Sequence, residues 1–129
     1  MSVSQLRVVL TVDHYERALA FYRDSLGLTV EADYSSPDGR VTLLQAGRAT
    51  IEIADARQAA FIDQVEIGRR VAGPVRLAFE VEDSASMAVR LEAAGATLVA
   101  GPVVTPWRHR NVRLDPPEGV QLTLFTVLD

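Results

Sequence analysis

The sequence contains neither cysteine nor lysine, and its 129 residues include only two histidines and 6% aromatic residues. Without cysteine there is no disulfide framework, no thiolate zinc site and no thiol nucleophile. No apolar run approaches the ~20 residues that a membrane span needs. The opening stretch MSVSQLRVVLTVDHYERA carries charge early and turns amphipathic, with no secretory apolar region, so a cytoplasmic protein without a membrane partner is expected. A formal net charge of −4 argues against nucleic acid, whose binders normally present a net basic face. All 13 basic residues are arginine; codon bias accounts for that, so the placement of each arginine is more informative than their number. What is present is ordinary for a soluble fold: 48% apolar and 23% charged residues, in a chain of one domain's length that buries roughly two-thirds of its unfolded surface.

The chain reads as one domain, 1–129, in which a pattern occurs twice. In 4–54 a strand at Leu6–Val12 precedes Asp13 and Glu16, spaced as a capping-box variant that opens a helix. Tyr15, Leu19, Tyr22 and Leu26 recur at helical spacing, and Gly27 sits where a glycine stops a helix. Strand signals follow at Leu28–Tyr34, Arg40–Ala46 and Ala49–Ala54, with Ser-Ser-Pro-Asp-Gly and Ala-Gly-Arg between them. In 74–129 the order repeats. A strand at Val75–Val81 is followed by a helix capped by Asp83, carrying Met87, Ala88 and Leu91 and stopped by Gly95. Strands at Thr97–Ala100, Asn111–Leu114 and Val120–Val127 complete it. The stretch 55–73 between the halves reads as a linker with a short helix whose apolar side is Ala59, Phe61, Ile62 and Val65. The fold class is therefore α+β: two tandem βαβββ modules forming a curved mixed sheet with a concave cup, their helices on the convex side.

Period-two alternation sorts the strand residues by face. Val8, Leu10 and Val12 belong under the first helix, leaving Arg7, Val9 and Thr11 in the hollow. Val75, Leu77, Phe79 and Val81 likewise leave Arg76, Ala78 and Glu80 there. Ile51 and Ile53 point to the core and Glu52 to the hollow. Leu122 and Leu124 point to the core, while Gln121, Thr123 and Phe125 face the cup.

The whole length resembles the vicinal-oxygen-chelate superfamily, also called the glyoxalase/bleomycin-resistance/dioxygenase family. The residues that carry this are VDHYERALAFYRDSLGL after the opening strand, VRLAFEVED with its helix ending EAAGA, and the closing RNVRLDPPEGVQLTLF. The resemblance implies a divalent ion held by four side chains, one from the first and one from the last strand of each module. Carried over residue by residue, those positions are Arg7, Glu52, Arg76 and Thr123. Only Glu52 keeps the ligand type, because a guanidinium is always protonated and offers no lone pair. One carboxylate and one hydroxyl fall short of a catalytic metal site. No metal and no cofactor are expected.

Arg7 and Arg76 have two readings. They form an ion network with Glu52 and Glu80 in the space a metal would occupy, or they clamp an anion or carbonyl of a ligand. Glu52 is a possible general base, although neighbouring arginines favour its ionised, weakly basic form. Trp107, in Thr-Pro-Trp-Arg-His-Arg, either lines a groove or packs; in drug-binding members of the superfamily a similar Pro-Trp loop borders the groove. His14 is expected to face solvent, and His109 is an exposed loop residue or a ligand contact. The ligand-binding candidates are thus Arg7, Val9, Glu52, Arg76, Trp107, His109, Thr123 and Phe125. The leading expectation is a metal-independent protein that sequesters a small organic molecule, a drug or metabolite, as the bleomycin-resistance branch does. Its rivals are a lyase, isomerase or dioxygenase-like enzyme using Glu52 and the cup arginines or a displaced metal site, and a partner protein whose cup is filled by its own side chains. A homodimer is expected, since Leu43, Val9 and Phe125 would otherwise line a sparsely covered hollow.

Overall fold

The computed structural model of the chain describes residues 2–71 and 73–129. The elements in chain order are β1 (Val3–Val12), α1 (Tyr15–Leu19), a π-helical continuation (Ala20–Ser25), β2 (Thr29–Asp33), β3 (Val41–Ala46), β4 (Ala49–Asp55), α2 (Ala56–Glu66), β5 (Val75–Val81), α3 (Ser84–Ala93), β6 (Thr97–Val104), β7 (His109–Asp115) and β8 (Leu122–Val127). All eight strands join one sheet in the order β2-β3-β4-β1-β5-β8-β7-β6. Each module runs outward from its first strand, which pairs in parallel with its last: β1 with β4 and β5 with β8. The modules meet where β1 and β5 pair antiparallel. The cup is thus completed within one chain.

Two apolar clusters hold the module helices to the convex face, as the alternation predicts. Tyr15 and Leu19 of α1 pack with Leu44 and Ile53, flanked by Leu10 and Val12. Ala88 of α3 packs with Val81, Val112, Leu114 and Leu124, flanked by Phe79 and Met87. The ends of the helices differ. The Asp83 side chain accepts the Ser86 N–H at 3.1 Å and caps α3. Asp13 does not cap α1: the N-cap is His14, with no side-chain cap bond, so the expected capping box does not form. Only five residues of α1 are α-helical before the bonding widens to i→i+5, as in Leu26 N–H to the Phe21 carbonyl at 2.8 Å. That drift turns Leu26 out to solvent, against the helical spacing of the sequence. Gly27 and Gly95 stop the two helices with φ of +87° and +109°, values that glycine takes without a Cβ penalty.

The linker helix is longer than a short turn and turns the other way. Its cap is Asp55, whose carboxylate accepts the Gln58 N–H at 2.8 Å. It contacts β1, β4, β6 and β7, crossing the concave face. Its buried residues are Gln58, Ala59, Asp63 and Glu66, while Phe61, Ile62 and Val65 are half-buried. Only part of the expected apolar side is inside; most of what it buries is polar. Gly39 lets the β2–β3 turn reach this helix, because a Cβ there would collide with the Gln58 backbone.

Candidate functional site

Strand register gathers the four central positions. Val9 lies opposite both Glu52 and Arg76, and Ala78 opposite both Arg7 and Thr123. Val9, Ala78 and Phe125 form a small buried apolar cluster at this centre. Around it opens a cavity of about 680 Å³ between sheet, α2 and the Trp107 loop. All eight residues singled out in the sequence line it: Arg7, Val9, Glu52, Arg76, Trp107, His109, Thr123 and Phe125. Its size falls in the range of ordinary small-molecule sites.

The two arginines are held differently. Arg7 stands 3.5 Å from Glu52 Oε1, donates to Gln5, and lies 4.9 Å over the Phe125 ring. His109 stacks on that ring at 5.2 Å, so Phe125 is shared by an arginine and an imidazole. Burial, with Arg7 nearby, pushes the His109 pKa down from its ordinary value. Arg76 is only 8% exposed, and its Nη1 donates to Thr123 Oγ1 at 2.6 Å. Among the described residues no carboxylate comes within 4.0 Å of it. Desolvation, then the charge of Arg113, pulls its pKa down against the opposing charges of Glu52, Glu66 and Asp63, yet guanidinium stays protonated.

The ion network predicted around Arg7 and Arg76 is only half present: Arg7 meets Glu52, and Glu80 makes no ion pair among the described residues. The dense network lies beside it. Arg113 of β7, 1% exposed, donates to Asp63 Oδ1 at 2.9 Å, Glu66 Oε1 at 2.9 Å and Gln121 Oε1 at 2.8 Å. Arg70 reaches Asp63 Oδ2 at 2.8 Å, and Asn111 Nδ2 donates to Glu66 Oε2 at 2.8 Å. None of Asp63, Glu66, Asn111 or Arg113 was singled out from the sequence. Asn111 and Arg113 alternate with the core residues Val112 and Leu114, so strand alternation already places them in the cup. Glu66, Asn111, Gln58 and Phe61 line the cavity too, with Tyr34, Ser35, Ser36 and Asp38 at the β2–β3 turn. Trp107 lines the cavity and packs at 6.1 Å from Phe61. His109 is half-buried on the cavity wall rather than exposed, and His14 is exposed.

The glyoxalase/bleomycin resistance protein/dioxygenase superfamily matches residues 4–124. The chain belongs to this superfamily. No curated protein matches the sequence. Among solved structures, methylmalonyl-CoA epimerase from Mycobacterium tuberculosis is similar at 22% identity and TM-score 0.68, covering 98% of this chain and 90% of that one. A Streptomyces coelicolor methylmalonyl-CoA epimerase variant in complex with 2-nitronate-propionyl-CoA is similar at 17% identity and TM-score 0.70, covering 99% and 100%. A glyoxalase/bleomycin resistance protein/dioxygenase superfamily member from Vibrio splendidus is similar at 14% and 0.64, covering 95% and 97%. At these identities the likeness is one of fold.

The superfamily's metal does not fit the residues present. Two of the four positions are guanidinium groups facing the cavity, Thr123 Oγ1 is taken by Arg76, and Glu52 faces Arg7. Among the described residues no three His, Cys, Asp or Glu side chains gather as a metal would need. Chemically the cup offers cations, acceptors and aromatic faces, which suit an organic anion.

Proposed function

We propose that this member of the superfamily is a metal-independent binding protein that sequesters a small organic molecule bearing a carboxylate or carbonyl oxygen. The observation that carries this reading is Arg76: a buried cation on a cavity wall whose only hydrogen-bond partner among the described residues is a neutral hydroxyl. A buried charge is costly without an opposite partner, and a ligand oxygen supplies one through the planar two-pronged geometry of guanidinium. Arg7 adds a second donor group, and Trp107, Phe61 and Phe125 offer apolar cover. A screen of organic acids by thermal shift, followed by calorimetry on wild type and Arg76→Ala, tests it. Binding that weakens tenfold or more in the folded variant fits the ~1.5–3 kcal/mol of a charged hydrogen bond. Equal affinity in the variant, or hits confined to cationic compounds, defeats it.

The second reading, an isomerase, has one observation in its favour: Glu52 borders the same cavity, in a fold shared with two epimerases. Glu52 would then take a proton from a carbon beside the ligand carbonyl while Arg7 and Arg76 hold the resulting oxyanion. Solvent deuterium entering a bound 2-substituted acid, and ceasing in Glu52→Gln, would establish it.

A homodimer remains our proposal, now on different grounds. Leu43, Val9 and Phe125 are buried within the single chain and need no second copy. Support comes instead from Phe21 and Leu26, each more than half exposed and one turn apart on the same helical stretch. A monomer mass by light scattering at micromolar concentration would reject it. No helix among the described residues is long and apolar enough to cross a membrane.

A further inference from the structure

Of the chain's two histidines, His109 lines the cavity and His14 is exposed at the start of α1. The His109 ring stacks on Phe125, with centroids 5.2 Å apart and planes 18° apart. The guanidinium of Arg7 lies over that same Phe125 ring at 4.9 Å. The His109 backbone is pinned as well: its N–H donates to Thr105 Oγ1 at 3.1 Å, and its carbonyl accepts the Thr105 N–H at 2.8 Å. Neither ring nitrogen bonds to a described residue, and neither is sealed off from water. The imidazole is therefore held by stacking and backbone, with its nitrogens free to change protonation.

Few charges act on it. Arg7 comes from β1 and Glu66 from α2, while β8 beside it offers the uncharged Phe125 and Val127. Glu66 is already engaged by Arg113 and Asn111. Arg76, Glu52 and Asp38 also line the cavity; the chain neighbours Arg108 and Arg110 do not. Burial and then Arg7 outweigh Glu66 and favour the neutral ring. An acid seated on the arginines reverses that balance, because its carboxylate offsets the guanidinium charge and adds an anion of its own.

We propose that binding of the acid is coupled to proton uptake by His109: the imidazole is neutral in the ligand-free protein near pH 7 and becomes imidazolium when a carboxylate joins Arg7. This rests on the acid-binding reading above and adds a control to the same site. The complex holds the proton more tightly than the free protein, so affinity rises as pH falls through the ordinary histidine value of 6.5. The ligand's own carboxylate titrates at about 4 and stays ionised in that window.

The test uses the full chain with benzoate, phenylacetate and 2-naphthoate, each against its uncharged amide. With only two histidines, proton NMR follows both rings, and His14→Gln assigns the signals. A bound acid is expected to raise the His109 midpoint by about 0.5 or more, leaving His14 unmoved; that corresponds to binding about threefold tighter at pH 5.5 than at pH 7.5. Calorimetry in buffers of different ionisation enthalpy should show proton uptake that is lost in His109→Gln. Should His109→Gln fail to fold, the NMR titrations decide alone. An acid that binds without raising the His109 midpoint overturns the proposal and leaves the acid reading standing. So does an amide that raises it as much, or proton uptake undiminished in folded His109→Gln. Failure of all three acids to bind overturns the acid reading itself.

Discussion

The two modules share one topology but fill the concave face with opposite chemistry. In the first, the inward residues of β3 are Val41 and Leu43, both buried. In the second, the inward residues of β7 are Asn111 and Arg113, seventy residues further along, also buried. Arg7 and Arg76 show the same divide: one faces a carboxylate and a ring, the other a hydroxyl. The difference follows α2, which belongs to neither repeat. Its carboxylates Asp63 and Glu66 meet β7, so that half of the cup becomes an ion-paired polar block. Alternation decides which residues face inward; the element laid across them decides whether an inward residue is paired or available.

Breaking the polar block should have the largest effect. Arg113→Met takes the guanidinium away from buried Glu66 and Asp63, with Arg70 still reaching Asp63, and a loss of about 3–5 kcal/mol is expected. Urea unfolding measures it, and a loss below about 1 kcal/mol would mean that α2 is not held this way. Leu43→Ala, the matching site in the first module, removes buried apolar volume and should cost about 2–4 kcal/mol. Unlike Arg113→Met, it should leave the salt dependence of stability unchanged, which the same titrations at two ionic strengths would reveal.

The helix starts offer a smaller contrast. Asp83→Ala removes a cap and should destabilise by about 1 kcal/mol. Asp13→Ala, at the equivalent place, should change thermal stability by about 0.5 kcal/mol or less; equal losses at the two sites would show that Asp13 caps α1 in solution.

The smallest effect is in pH. His109 has its pKa lowered by burial and by Arg7, so the unfolded chain takes up its proton first. Stability is then full above the ordinary value of 6.5 and declines as pH falls through it. In His109→Gln that share of the decline should vanish, seen as a shallower loss between pH 7 and 5 than in wild type.

Most of the sheet was legible because its signals are local. Turn residues and alternation set the strands and their faces, and the doubled pattern matched the positions of Arg7 with Arg76 and Glu52 with Thr123. Legibility failed where a local signal was degenerate. The Asp13–Glu16 spacing is compatible with a cap, yet the helix begins on His14 and widens after five residues. Asn111 and Arg113 were overlooked as cup residues although they alternate with Val112 and Leu114.

By itself the sequence determined the repeated module, the faces of its strands, and the inward placing of Arg7 and Arg76, because each depends on spacing along a strand. Only the tertiary structure decided that Arg113 pairs with Asp63 and Glu66 across the cup while Arg76 is left with a hydroxyl. Such pairs join residues some fifty positions apart, and no local period encodes which distant charges a helix laid across the sheet will bring together.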